Sequence, residues 1–382
     1  MLAAVTEGFS RAYGSLDRGA VERGRWVVFL AICLTLAGLV WVESASYPKA
    51  SAPNGAINAF AVFNRQLQMA GIGLAGLLVF TVLPSSRWLA GLSAMGFVIF
   101  VPWMAAALVW GVERQGTKAW LFVQPSEFAK VFLIVCGAWL LSRRPVRSLV
   151  QSNVLAFLGL VAVVAGLLVL QHDIGMLMLV AISATALLFV AGVRLVELFA
   201  FVACGLAAIA YKLLHDPVRL GRITSWLWPK EHLQGSGYHV MSALIAIARG
   251  RGFGLLPAGS PDKWYALPYP ATDSIFCVIA AESGLWGTAL LLTVFGALLV
   301  YAIVAAHNAT SEFDRLAALG CGMLIAIHAS IHMGVACNLL PATGLTLPFM
   351  SAGGSSLIAS CIAAGVIANV ARRGRAMAEA VA

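Results

Sequence analysis

The chain has 382 residues, of which 61% are hydrophobic and only 11% charged, with a net charge of +9. Soluble domains are about half apolar and a quarter charged, so this composition excludes a soluble fold and makes lipid the solvent for most of the surface. The positive excess reports orientation in a membrane and not nucleic-acid binding. The seven cysteines all lie in apolar runs without CxxC spacing and read as small buried hydrophobes.

Residues 1–25 are polar, with no apolar core before Trp26, and read as a cytoplasmic tail rather than a cleaved signal. A span needs about 20 apolar residues. Stretches of that kind fall at 26–45, 67–84, 88–110, 127–142, 153–171, 175–192, 195–214, 273–305, 314–340 and 355–371. The fold class is therefore all-α and polytopic, with about ten transmembrane helices in a single domain over 26–371. Residues 372–382 form a second cytoplasmic tail. Arginine and lysine set the sides. With the N-terminus inside, the inner segments hold Arg11, Arg18, Arg23, Arg25, Arg87, Arg143, Arg144, Arg147, Arg194, Arg315, Arg372, Arg373 and Arg375. The short outer loops hold only Lys49, Arg65, Arg114 and Lys118. Both termini are expected in the cytoplasm. Residues 215–272 form one large outer loop, in which the apolar run 240–248 is too short to cross and reads as an interfacial helix.

Several polar residues gather at the expected outer helix ends. Glu127 and Lys130 are three apart on one helix face. Asp173 sits in the turn Gln171-His172-Asp173-Ile174-Gly175. Asp273 follows Pro268-Tyr269-Pro270-Ala271-Thr272 and precedes an apolar run, 274–281, at the positive end of a helix dipole. Ser355 and Ser356 follow Gly353-Gly354. One outward-facing polar cavity could collect them. A carboxylate at such an edge marks function by default, yet plain readings stand beside it. Asp273 suits an N-cap, Glu127 and Lys130 a local ion pair, and Asp173 a turn former. Arg249 and Arg251 read as solvated or headgroup-facing, and His307, His328 and His332 lack metal-ligand company.

These residues also carry a resemblance. Gln124-Pro125-Ser126-Glu127-Phe128-Ala129-Lys130 resembles the QPSEFAK signature of the SEDS (RodA/FtsW/SpoVE) family of peptidoglycan polymerases. Gln171-His172-Asp173-Ile174-Gly175 is similar to its QPDLG turn, and Gly237-Tyr238 with 242–247 to its GYQ and SLIAI segment. Thr272-Asp273-Ser274-Ile275-Phe276 and Ala280-Ala281-Glu282-Ser283-Gly284 resemble TDFIF and AEELG. Residues 340–351 with Gly353-Gly354-Ser355-Ser356 resemble LLPTKGLTLPFISYGGSS. Asn64-Arg65-Gln66-Leu67 and Lys263 look like the division branch. Departures are Tyr269 for a family Glu, Ala271 for a His, His172 for a proline, Ala352 for a Tyr and Ala119 for an arginine.

The resemblance implies an inverting glycosyltransferase that polymerises lipid II at the outer face of the bacterial cytoplasmic membrane during cell division. It makes Asp273 the general base. It makes Glu127, Lys130, Asp173, Arg219, Arg222, Lys263, Ser355 and Ser356 substrate-binding, with no metal ligand assigned among them. It leaves room for a divalent cation (Mg or Mn) at the pyrophosphate and implies no organic cofactor. The partners implied are lipid II, a class B penicillin-binding protein (a transpeptidase), other divisome proteins and membrane lipids, with no nucleic acid. Two rival readings are a lipid II flippase and a scaffold with weakened catalysis, the latter suggested by the altered residues 269, 271 and 352.

Overall fold

The computed structural model of the chain describes residues 18–50, 59–114, 117–121, 123–214, 221, 224–232, 236–255 and 259–374. In chain order the helices are α1 (Arg18–Ala50), α2 (Ala59–Val82), α3 (Ser86–Trp110), α4 (Pro125–Ser142), α5 (Ser152–Leu170), α6 (Ile174–Ala191), α7 (Leu195–Leu214), α8 (Ser236–Gly250), the single turn α9 (Asp262–Tyr265), α10 (Ile275–His307), α11 (Glu312–Ala336) and α12 (Gly354–Arg373). Among the described residues nine are long and apolar enough to cross a membrane, and α7 covers the tenth expected span. The chain is a multi-pass membrane protein. One small sheet departs from the all-helical expectation: Val112–Arg114 pairs antiparallel with Thr117–Trp120 between α3 and α4.

Two helices form the centre. In α4, 83% of the span is buried inside the protein, and in α12, 94%, against 22% in α3 at the periphery. Small residues let α12 take this place, as expected where helix association in lipid depends on close packing. A Cβ on Gly365 would stand 2.7 Å from the carbonyl oxygen of Leu77 in α2. The short apolar stretch expected at 127–142 is thus a core helix, wrapped by α3, α5, α6, α11 and α12.

The start of α1 and the end of α12 meet on one face. A Cβ on Gly24 would touch the Ala368 carbonyl at 3.0 Å, so the helix is packed at this point, and the expected tail boundary at 25 falls inside α1. On the same face Arg373 pairs with Asp314 at 2.8 Å, and Ser86 donates to the same carboxylate at 2.8 Å.

The span expected over 273–305 is two helices. At 33 residues α10 would run about 50 Å, well beyond a hydrocarbon core of about 30 Å. It breaks at Gly284, where φ is 65° and ψ is −164°. Residues 275–282 are buried, whereas Leu285 and Trp286 are about two-thirds exposed. The lipid-facing part therefore starts at Leu285. The freed backbone groups do not go unpaired. The turn after α8 enters the gap, with Leu255 N–H donating to Ala281 O (3.0 Å) and Leu285 N–H to Arg251 O (2.9 Å). Helix α8 contains the expected interfacial run. The helix packs on α10, with Ala243 and Ala246 buried while Tyr238 and Ile245 stay exposed.

Candidate active site

Four helix N-termini, those of α4, α6, α10 and α12, come together through named bonds on the face opposite the start of α1 and the end of α12. Pro125 opens α4 at a position where its missing N–H is no loss. The preceding Gln124 donates its backbone N–H to Ser355 Oγ (3.0 Å) and its Nε2 to Asp173 Oδ2 (3.2 Å). Asp173, expected as a turn former, caps α6 by accepting from Met176 N–H at 3.0 Å. Burial pushes its carboxyl above the usual carboxylate range. The Met176 bond opposes the shift, and the nearby charges of Glu127 and Lys130 act in opposite directions.

Glu127 and Lys130 do form the buried i,i+3 pair, at 2.5 Å. The lysine has a second partner, His328 Nδ1 on α11, at 3.2 Å. An ammonium only donates, so His328 Nδ1 accepts and its Nε2 carries the hydrogen. One turn on, His332 Nδ1–H donates to the carbonyl of Leu345 at 2.7 Å.

That bond grips the segment leading into α12, which in turn holds Asp273. Ser351 Oγ accepts from Leu347 N–H (2.7 Å) and donates to Thr272 O (2.9 Å). Ala352 N–H donates to Ala271 O (2.8 Å), and Gln66 Nε2 from α2 donates to Ser351 O (2.9 Å). From behind, α1 offers Gly38, where a Cβ would come within 2.4 Å of Phe349 O. Asp273 therefore stands on a turn fixed from three helices. It precedes α10 by one residue, and no capping bond is made by the N-cap residue Ser274. The Asp273 carboxyl is half-buried. Burial raises its pKa, while a bond from Thr272 and the proximity of His239 on α8 pull it back. His239 itself is held below its ordinary value by burial.

The expected residues thus fall into two linked groups. Gln124, Asp173 and Ser355 share one network with the Glu127–Lys130 pair close by, and Asp273 faces His239. Ser356 is buried, and among the described residues its hydroxyl has no partner. Lys263 lies elsewhere. Its ammonium is fully buried against Glu282 (2.6 Å) and Ser44 (2.7 Å), where it ties α9 to α10 and α1. Arg219 and Arg222 lie outside the described residues. A cavity of about 430 Å³ opens at the other end of α4 and contains none of these residues. Sequence reasoning missed His239, His332 and Ser351 as parts of the site. His239 directly follows the Gly237-Tyr238 pair, and Ser351 ends the 340–351 motif, so the signal for both lay in the sequence. For His332, helical spacing from His328 was the available signal.

The profile of the FtsW/RodA/SpoVE family, described as cell cycle proteins, matches residues 25–376. The chain belongs to this family. It is 33% identical over 363 residues to stage V sporulation protein E of Bacillus subtilis, covering 91% of this chain and 97% of that one. It is 34% identical over 360 residues to a probable peptidoglycan glycosyltransferase FtsW of Coxiella burnetii, covering 91% and 95%. Among solved structures it resembles a chain of a peptidoglycan synthase complex that coordinates polymerization and crosslinking (TM-score 0.73, 29% identity, 94% of this chain and 98% of that chain). It also resembles the rod shape determining protein RodA of Thermus thermophilus (TM-score 0.66, 28% identity, 95% and 99%).

Proposed function

We propose that this family member is a peptidoglycan glycosyltransferase that polymerises lipid II during cell division, with Asp273 as general base. The observation that carries the reading is a half-buried carboxylate of raised pKa on a turn immobilised by Ser351 and Ala352. A base is most effective when its pKa moves toward the working pH, and partial burial does this for a carboxylate. Asp273 accepts the proton of the acceptor sugar hydroxyl as that oxygen attacks the anomeric carbon of the donor glycan. The new C–O bond forms as the bond to undecaprenyl pyrophosphate breaks. Single displacement inverts the anomeric centre, and the electron pair leaves on the pyrophosphate. Positioned bases typically contribute about 10²–10⁴-fold in rate.

The leaving pyrophosphate calls for positive potential. Support comes from four helix N-termini and from Lys130, with Arg219 and Arg222 assigned to the same task. Asp173, Ser355 and Ser356 are assigned to the polar groups of the substrate, and Lys263 to holding the outer segment in place. Among the described residues no three His, Cys, Asp or Glu side chains gather as a metal site. The donor set fits a divalent cation only in the manner of Mg, held by one or two carboxylates and the substrate's own phosphates; bound there, it would neutralise charge on the pyrophosphate. The active face is assigned to the outside of the inner membrane and both termini to the cytoplasm, following the arginine distribution. A class B penicillin-binding protein is the assigned partner, in keeping with the polymerization and crosslinking complex that this chain resembles.

The test is polymer formation from labelled lipid II by the purified chain, with and without that partner. The wild type gives new glycan bands and Asp273→Asn gives none. Bands from Asp273→Asn at the wild-type rate refute the assignment. Lipid II moved across vesicles without bands identifies a transporter instead.

A further inference from the structure

The cavity at the other end of α4 has no part in this chemistry, and its lining has a consistent character. It lies between the end of α4 and the start of α5 and is lined by Leu140, Arg143, Arg144, Ser152, Asn153 and Ala156. Its volume, about 430 Å³, falls within the range of about 300–1,000 Å³ typical of small-ligand sites. Among the described residues neither arginine has an acidic partner. Arg143 lies over the ring of Trp139 with its guanidinium carbon 4.4 Å from the centroid. Arg144 makes a long contact of 3.5 Å to Ser152 Oγ. The first turn of α5 adds unpaired backbone N–H groups and the positive end of its dipole.

Asn153 supplies an independent sign of a ligand. The residue is more than nine-tenths buried. Its Nδ2 faces two carbonyls, of Arg144 (3.2 Å) and Leu141 (3.5 Å), which fixes the amide orientation. Its Oδ1 is then a buried acceptor with no partner among the described residues, and such a group asks for a donor. Beside the cavity Trp139 and Leu155 are exposed on the lipid-facing surface, so an acyl chain can lie against them while its headgroup enters. Two cations with helix N–H groups bind a phosphodiester, and an orphaned amide oxygen accepts from a hydroxyl. An ammonium headgroup would meet two arginines and be repelled.

We propose that this cavity binds an anionic phospholipid whose headgroup bears a free hydroxyl, of the phosphatidylglycerol type. The phosphate sits between Arg143, Arg144 and the start of α5, and the headgroup hydroxyl donates to Asn153 Oδ1. The inference stands apart from the catalytic reading, because none of these residues touches the Asp273 region.

The full-length protein in nanodiscs of mixed composition tests it. After detergent extraction, native mass spectrometry counts retained lipids. The expected result is selective retention of phosphatidylglycerol over phosphatidylethanolamine and phosphatidylcholine, reduced at least about tenfold in the Arg143→Gln/Arg144→Gln double variant, in keeping with the loss of two charge-assisted contacts. Both substitutions are on exposed side chains, so folding is retained and is checked by melting temperature. A dimyristoyl phosphatidic acid arm, which keeps the phosphate and lacks the hydroxyl, should be retained less than phosphatidylglycerol. Equal retention of all lipids overturns the proposal, and so does a double variant that still selects phosphatidylglycerol. Displacement of the lipid by millimolar sn-glycerol 3-phosphate overturns the lipid source, since a soluble phosphate then suffices.

Discussion

His332 Nδ1–H donates to the carbonyl of Leu345 at 2.7 Å, from a helix interior to the irregular segment that leads into α12. Six residues after Leu345, Ser351 bonds Thr272 O, and Asp273 is next in the chain. A buried histidine is thereby linked to the proposed base without touching it.

That linkage makes His332 a positioning residue with a specific rescue pattern. Asparagine places its Nδ2 where histidine has Nδ1, whereas glutamine carries its amide one bond further out. His332→Asn should polymerise lipid II at close to the wild-type kcat. His332→Gln should lose roughly ten- to a hundredfold in kcat with little change in KM, the scale expected for small misplacement of a reacting group. Equal rates for the two variants would remove the role.

The raised pKa of Asp273 sets a pH dependence in both activity and stability. The base is active when deprotonated, so the acid limb of the rate profile should lie above the ordinary aspartate value of about 3.9. For stability the sign is reversed. A carboxyl whose folded-state pKa is above its unfolded value contributes most below the unfolded pKa, and that contribution is lost as pH rises through the folded pKa. At neutral pH the buried charge therefore costs stability. Asp273→Asn should melt at a higher temperature than wild type at pH 7.5, with the difference closing toward pH 4, even though it makes no polymer. Thermal denaturation in detergent across that range checks it.

Lys263 and Glu282 predict a loss of fold and not of substrate affinity. Both side chains are buried, and Ser44 completes their hydrogen bonding, with Ser44 Oγ 2.9 Å from Glu282 Oε2. Removing one partner of such a pair strands a buried charge, at about 3–5 kcal/mol. Lys263→Met should lower the melting temperature sharply and leave KM for lipid II in the surviving protein near wild type. Adding Glu282→Gln should recover most of the stability. A Lys263→Met variant with unchanged melting and a raised KM would put this lysine back among the substrate ligands.

Ser355 and Ser356 are neighbours with opposite expectations. Ser355 Oγ accepts from Gln124 N–H, and Ser355→Ala should cost about 1 kcal/mol, the usual net value of one hydrogen bond. Ser356 Oγ has no partner among the described residues. Its removal should leave stability unchanged or improved while lowering kcat/KM, if the proposed assignment of its hydroxyl to the substrate holds. Matching losses of stability in both variants would contradict that assignment.

Much of this architecture could be read from residue order. Mostly apolar stretches located the ten long helices among the described residues, because lipid forces every backbone group into internal bonding. Glu127 and Lys130 could be paired from spacing alone. Sequence failed where long-range packing decides. The Lys263–Glu282 bond spans 19 positions, and nothing local distinguishes a lysine aimed at a buried carboxylate from one aimed at a ligand. Gly284 lies inside an apolar run that reads as continuous helix, and its break depends on a turn 30 residues earlier in the chain. His332 looked isolated because its partner is a carbonyl, which no residue type announces.

The break at Gly284 is the most exposed of these features to a single change. Its φ of 65° with ψ of −164° falls in a region essentially restricted to glycine. An added Cβ would lie 2.4 Å from Gly254 N and 2.6 Å from Gly252 O, and a Cβ on Gly254 would in turn meet Glu282 O at 2.1 Å. Neither contact can be relieved by a side-chain rotation, since each involves backbone. Gly284→Ala should therefore expel the turn 251–255 from the gap and destabilise the chain by several kcal/mol, in the range reserved for strain at a special backbone conformation. Because residues 275–283 carry the mount of Asp273, polymerisation should fall with it. Hydrogen exchange should report the cause, with faster exchange at the amides of Leu255, Leu285 and Trp286, whose bonds cross the gap. Wild-type protection at those three amides in Gly284→Ala would show that the kink does not depend on the missing side chain.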